Sequence, residues 1–284
     1  MSKIAIVTDS TSYIPEDELE AYGIEIVSLQ VIFGEESYRE YKEISNDDFY
    51  RMLKERRDLP TTSQPSVGEI LTTYERLAKE YDEIISIHIS SKISGTYHSA
   101  LAASRMIQGA NVHVFDSGIA TYALGFYVVE AARMAKEGKS VDEIMVRLDE
   151  LQQSQDQYFL VDNLAHLHRG GRLNAAQFLV GSMLKVKPIL TFRNKEIVVF
   201  EKVRTYNRAK QRIFELLEEI LEQGYPMRLG IIHARRLEEA TAWKEEFENQ
   251  YGEQVEVVIS EFGPVIGTHV GEGAIGLSWI RRYS

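Results

Sequence analysis

Short apolar, β-branched runs alternate with amphipathic stretches along most of the chain. "KIAIVTDS" predicts a buried strand, apolar from Ile4 to Val7 and ending in the polar turn Thr8, Asp9 and Ser10. "IPEDELEAYG" predicts a short helix, with Pro15 and acidic residues in its first turn and Gly23 after its end. "IEIVSLQVIF" reads as a second strand and "SNDDFYRMLKERRD" as a helix led by capping residues. Ser66 and Glu69 form the S-x-x-E of a capping box at the head of "VGEILTTYERLAKEY". The hydroxyl-rich "LPTTSQPS" is thereby expected at a helix N-terminus.

The alternation continues with strand "DEIISIHIS", a small-residue turn "SKISGTY", helix "HSALAASRMI", strand "NVHVFDS" and a long apolar helix from about Gly118 to Lys136. Strands alternating with helices imply right-handed crossovers and a mostly parallel sheet, whose ligands collect beyond the carboxyl ends of the strands. Those ends carry Thr8, Asp9 and Ser10, then Ser90, Ser91 and Ser94, then Asp116 and Ser117, so a polar crevice is expected on one rim. After the capped helix "SVDEIMVRLDELQQS", the polar "QQSQDQ" reads as a hinge. Strand "YFLVDN" follows, then "LAHLHRGGRLNAAQFLVGSML" as a turn and a helix, and a hairpin "KPILTFRNKEIVVFEKVRT" turning at Arg193, Asn194 and Lys195. A long helix to Gly224, strand "MRLGIIHA", helix "RLEEATAWKEEFENQYG", strand "QVEVVIS" and a Gly-rich tail complete the chain. The expectation is two α/β domains, residues 1–156 with a mostly parallel sheet and residues 157–284 with a mixed one.

Charge and composition narrow the function. With 32 basic and 43 acidic residues the net charge is −11, which opposes binding to nucleic acid or to an anionic membrane. The chain has no cysteine, so thiolate chemistry, disulfides and Cys-based zinc sites are excluded. Neither a signal-type h-region nor an 18-residue uncharged apolar run is present, and a cytoplasmic location is expected.

Several motifs mimic chemistry. "GEGAIG" at 271–276 matches G-x-G-x-x-G, but only eight residues follow it, too few for a dinucleotide-binding unit. No Walker-type phosphate loop occurs. His166 and His168 alternate and would share one side of an extended segment, yet no nearby ligand set completes a tetrahedral metal site. Asp9, Asp116 and Asp162 stand at strand ends, where they could hold magnesium or act as ordinary turn and capping residues. What remains are hydroxyls, glycines and one late histidine. Hydroxyls without an adjacent base are poor nucleophiles but good neutral donors, and helix N-termini add free N–H groups, so the set suits holding a carboxylate. Ser94 could equally cap "GTYHSALAASRM", and Thr62 could support the Ser66 box.

"TDS" near the start, "TTSQPS" at 61–66, "SGTY" at 94–97, "HRGGRL" at 168–173, "KVRT" at 202–205 and "GTHVGEGAIG" at 267–276 resemble, in order and spacing, the DegV family. These are fatty-acid-binding proteins that include the FakB carriers of bacterial fatty acid kinases. The resemblance implies a two-domain α/β fold, a long-chain fatty acid in a tunnel with its chain in the C-terminal domain, and its carboxylate at the domain junction. By motif position it implies Thr62, Ser94, the Gly95 region and His269 as carboxylate-binding residues. One departure is Glu272, where members often have proline. It further implies a non-catalytic subunit without cofactor or metal, serving a separate ATP-using kinase that forms the acyl phosphate. Arg169, Arg172 and Arg204, in "LHRGGRL" and "KVRT", are candidates for facing that partner or the transferred phosphate. Rival expectations are a lipid sensor without a kinase and a magnesium-dependent phosphotransferase using the strand-end aspartates.

Overall fold

The structure is a computed structural model describing residues 3–56, 58–181 and 186–282. It divides into two compact units, Met1–Gln153 with Gly263–Val265, and Ser154–Phe262 with Ile266–Ser284.

In the first unit the elements run β1 (Ile4–Asp9), α1 (Glu16–Tyr22), β2 (Glu25–Val27), β3 (Gln30–Phe33), β4 (Glu36–Arg39), α2 (Asn46–Glu55), β5 (Thr61–Ser63), α3 (Val67–Leu77), β6 (Glu83–His88), α4 (Thr96–Ser104), β7 (Asn111–Asp116), α5 (Tyr122–Lys136) and α6 (Val141–Ser154). A parallel sheet has the order β2-β1-β6-β7. Both its faces are covered, which is why β1 and β6 are nearly continuous in apolar residues. Val7, Ile70, Tyr74, Ile84 and Ala100 are fully buried in its core.

Three features differ from the sequence expectation. The segment 24–33 is not one strand but two, because Leu29 turns the chain away: its N–H donates to Ser10 Oγ (3.0 Å) and its carbonyl accepts from Glu40 N–H (3.0 Å). β3 then joins a second sheet, antiparallel, in the order β4-β3-β5. The "TTS" of the hydroxyl cluster is strand β5 in that sheet, with Thr62 opposite Val31, and the helix begins only after Ser66. There the capping box forms as read, Glu69 N–H to Ser66 Oγ at 3.2 Å and Ser66 N–H to Glu69 Oε2 at 2.9 Å.

The second unit contains β8 (Asp156–Leu160), α7 (Ala165–Arg169), α8 (Ala175–Gly181), β9 (Lys187–Arg193), β10 (Glu196–Val203), α9 (Tyr206–Leu221), β11 (Met227–His233), α10 (Leu237–Tyr251), β12 (Val255–Glu261), α11 (Pro264–Val270), whose first two residues belong to the first unit, and β13 (Ile275–Arg281). The sheet is mixed, β10-β9-β8-β13-β11-β12. The hairpin turns at Asn194 and Lys195, both left-handed with φ of 51° and 70°, and is bulged between Val199 and Glu201. The Gly-rich tail contains a helix and a central strand: β13 runs antiparallel between β8 and β11. Ile275, Leu277 and Trp279 enter the core with Leu229, Ile231 and Trp243. Residues 182–184, the end of the helix expected over "AAQFLVGSML", lie outside the described residues, as does residue 185.

Candidate carboxylate-binding loops

The strand ends of the parallel sheet are not an open polar crevice. Thr8, Asp9, Ser10, His88 and Ser90 are completely buried. Asp9 Oδ1 accepts from the Thr11 N–H (3.1 Å) and hydroxyl (2.6 Å), and its Oδ2 accepts from Ile89 N–H (2.9 Å) and faces His88 Nδ1 (3.0 Å). Behind His88, Nε2 lies 2.7 Å from Ser86 Oγ, which accepts from the Tyr74 phenol at 2.7 Å. With Ser86 accepting from Tyr74, its own proton points at His88 Nε2, and His88 donates through Nδ1 to Asp9. These are the contacts of a Ser–His–Asp hydrolase array. However, Ser86 is completely buried and no substrate can reach it, so the chain Tyr74–Ser86–His88–Asp9 is internal structure. The sequence signal for it was the alternation Ser86, His88, Ser90 inside an apolar strand, which the sequence reading passed over.

Asp116 is likewise engaged by loops: Ser91 N–H and Gly118 N–H donate to Oδ1 at 3.0 and 3.2 Å, and the Ser91 hydroxyl donates to Oδ2 at 2.6 Å. Asp162 pairs with Arg236 at 3.3 Å. Among the described residues no three His, Asp or Glu side chains gather as a metal site.

Within the first unit, the segment after β5 meets the loop before α4. A Cβ added at Gly95 would collide with the Gln64 side chain, whose amide donates to Ser99 Oγ at 2.8 Å. Glycine at 95 therefore serves a close approach between "TTSQPS" and "SGTY". Ser94 Oγ lies 2.9 Å from Thr96 Oγ1 and accepts from Thr96 N–H at 3.3 Å, so it caps the first turn of α4, while Gly95 is the helix N-cap. Thr62 and Ser94 are half-buried.

The second unit brings together its own pair of motifs. His166 and His168 lie on helix α7, where a spacing of two points them to different sides, so the shared side expected of an extended segment is lost. His168 stacks on Phe178 with ring centroids 4.3 Å apart, while His166 lies against Gly271, whose added Cβ would stand 3.1 Å from the imidazole. His269, in the last turn of α11, is 7% exposed and packs on Gly170 so closely that a Cβ there would collide with its ring. Burial first, then the Arg172 guanidinium and the His166 ring when protonated, push the His269 pKa down to about 3, so the ring is neutral at physiological pH. Burial and Arg169 lower His166 also. Arg172 donates to the Gly170 carbonyl. Arg169 is exposed and reaches His166 Nδ1 at 3.2 Å, and Arg204 is exposed directly before Thr205, the N-cap of α9. "GEGAIG" leads into strand β13 and opens no helix, so it lacks the helix N-terminus a dinucleotide needs.

A separate open cleft of about 930 Å³ lies at the carboxyl ends of β11 and β12. Its lining includes the ion pairs Arg236–Glu239 (3.0 Å) and Arg235–Glu261 (3.4 Å), a poor environment for an acyl chain.

Residues 3–282 match the family model described as "Uncharacterised protein, DegV family". The chain is 52% identical over 277 residues to Protein DegV of Bacillus subtilis, covering 97% of this chain and 98% of that one. The crystal structure of DegV, a fatty acid binding protein from Bacillus subtilis, superposes with a TM-score of 0.94 at 50% identity, covering 99% of this chain and 100% of that one. A DegV family protein from Thermus thermophilus, solved for its fatty acid binding, gives 0.91 at 31% identity with coverage of 99% and 100%. The chain belongs to the DegV family.

Proposed function

We propose that this protein binds a long-chain fatty acid and presents its carboxylate to a separate ATP-dependent kinase subunit, taking no catalytic part itself. The observation that carries the reading is the close approach of the two hydroxyl motifs at Gly95, against the Gln64 side chain. Thr62, Ser94, the Gly95 amide and His269 are the carboxylate's donors in this proposal. Hydroxyls, a backbone N–H and a neutral imidazole satisfy a desolvated carboxylate through charge-assisted hydrogen bonds without pairing it to a fixed cation. The oxygen then stays reactive toward a phosphoryl group. The acyl chain belongs to the second domain, 157–284, where α8 exposes Leu179 at 72%. Arg169, Arg172 and Arg204 face the kinase or the transferred phosphate; Arg169 and Arg204 make no ion pair among the described residues, in a protein where most arginines are paired with carboxylates.

Among the described residues no helix is long and apolar enough to cross a membrane, which suits a carrier that works in the cytoplasm. A magnesium-dependent phosphotransferase is disfavoured because the oxygens of Asp9 and Asp116 are occupied by protein donors.

Native mass spectrometry of the purified chain tests the reading. One fatty acid per chain is expected, since burying ~15 methylene and methyl groups at ~0.8 kcal/mol each outweighs the cost of immobilisation. Apo protein persisting after oleate or palmitate is added would sink it. With kinase subunit and ATP, the loaded chain should yield acyl phosphate, and Arg169→Ala and Arg204→Ala should keep the lipid but lose most turnover. Acyl phosphate from the chain alone would make it an enzyme.

A further inference from the structure

The first unit holds a carboxyl group that the proposed carboxylate site does not use. Glu40, directly after β4, is 1% exposed. Its Oε1 accepts two hydrogen bonds, from the Tyr13 phenol at 3.0 Å and from the backbone N–H of Val265 at 2.9 Å. Its Oε2 is buried and has no hydrogen-bond partner among the described residues. The fit is tight: a Cβ on Gly263 would stand 2.6 Å from Oε1 and 2.6 Å from Tyr13 Cε1. Tyr13 is itself held in the left-handed region, at φ 46°, which a bulky residue keeps only when its surroundings impose it.

The partners of Glu40 give it a role beyond packing. Gly263–Val265 belongs to the first unit, although the chain on both sides of it belongs to the second. Pro264 starts α11, and the same helix carries His269 in its last turn. The Val265 N–H that Glu40 holds is one of the first-turn donors that no helical carbonyl can satisfy.

Several ionisable groups bear on Glu40. Asp9, at the end of β1, repels its charge; the Tyr13 phenol and Val265 N–H, with the Ser10 hydroxyl, favour it; Tyr41 is the next residue along the chain. Asp9 is itself surrounded by the donors of Thr11, His88 and Ile89. Burial is the largest influence on Glu40 and raises its pKa to about 7, outweighing the Ser10, Val265 and Tyr13 donors.

We propose that Glu40 is a positioning residue for His269: it pins the first turn of α11 through Val265, and loss of its proton loosens that pin. The inference rests on the proposed fatty-acid site, because only there does the orientation of His269 matter. The neutral acid leaves Oε1 as an acceptor at no charge cost. The carboxylate accepts more strongly from its donors but stands desolvated, and because burial outweighs the Ser10, Val265 and Tyr13 donors, letting water in beside Val265 relieves it. Fatty-acid affinity should therefore fall as pH rises through neutrality.

Two readouts separate this inference from the site on which it rests. In the ligand-free protein, amide exchange at Val265 should be slow at pH 6, faster at pH 8.5 beyond the intrinsic base-catalysed change, and fast at both in Glu40→Ala. Glu40→Gln, which keeps an acceptor and removes the titration, should restore a protection free of excess pH dependence. In the second readout, oleate dissociation constants at pH 6 and pH 8.5 should show a loss in the wild type about tenfold larger than in Glu40→Gln, the variant correcting for titration of the lipid itself. Equal pH responses of wild type and Glu40→Gln, in exchange and in affinity, would overturn the proton's role. Wild-type protection of Val265 in Glu40→Ala would overturn the pin. If the wild type binds no oleate, the fatty-acid site fails while the exchange measurements still decide on the pin; if Glu40→Ala does not fold, Glu40→Gln still decides on the proton.

Discussion

The first unit closes Glu40 beneath its loops as an acid, and the second closes His269 behind Gly170 as a base. Burial drives both toward neutrality from opposite directions, the glutamate up to about 7 and the histidine down to about 3. The surroundings differ. Glu40 sits with a second carboxylate, Asp9, and the groups that favour its charge are the Ser10 hydroxyl, the Val265 amide and the Tyr13 phenol. His269 sits near Arg172, whose charge disfavours a second positive charge. Each unit thus buries one ionisable group whose charged form is disfavoured, and the exposed arginines 169 and 204 lie away from both. A carboxylate held by such groups is oriented by donors without being locked to a cation.

The comparison is most sharply tested by removing one titration at a time. A depressed histidine pKa gives stability that is present above the unfolded value of 6.5 and is lost as pH falls toward 3. A raised glutamate pKa gives stability that is complete below 4.5 and is lost as pH rises through about 7. Between pH 5 and 8 the two nearly cancel in the wild type. Glu40→Gln should gain about 2 kcal/mol on going from pH 5 to pH 8, and His269→Gln should lose about 2.5 kcal/mol. Urea melts at the two pH values would measure this, and parallel pH responses in the two variants would refute it.

Smaller effects are expected on the ligand side of the same contrast. Ser94→Ala and Thr62→Ala each delete a neutral donor to a charged acceptor, worth roughly 1.5–3 kcal/mol, or about ten- to over a hundredfold in oleate affinity. Isothermal titration with circular dichroism as a fold control is the measurement. Unchanged affinity in both would leave Ser94 as the cap of α4 and Thr62 as a residue of β5.

The last contrast sets one glycine against another. At Gly170 an added Cβ meets the buried His269 ring and the His166 carbonyl, neither of which can move freely, so Gly170→Ala should cost about 1–3 kcal/mol in a thermal or urea melt. At Gly95 the obstacle is the end of the exposed Gln64 side chain, which can swing aside. Gly95→Ala should cost less than about 1 kcal/mol in stability. Equal losses would mean that the two close approaches are alike.

Much of this was legible in the sequence where the cause is local. The Ser66–Glu69 box, the turn at Asn194 and Lys195 and the alternation of strands and helices depend on neighbours a few residues away, and they stand where the pattern put them. The ordered motifs were also legible, and they named the family. Less legible were the break at Ser28–Leu29 and the strand character of Thr61–Ser63, because both depend on pairing across the second sheet. β13 was hidden by the glycines before it, although Ile275–Ile280 is buried throughout.

The chain's own pattern determined the class of fold, the neutral-donor character of the hydroxyl motifs and the absence of thiol chemistry, because these follow from residue type and short-range spacing. Only the tertiary structure decided that His88 lies between Ser86 and Asp9, 79 residues away, and that Glu40 meets Val265, 225 residues along the chain. Protonation in a protein interior is set by desolvation and by distant partners, neither of which a linear string carries. For that reason nothing in the run "YREYKE" singles out Glu40, which in the folded chain is a buried carboxyl with its pKa raised to about 7.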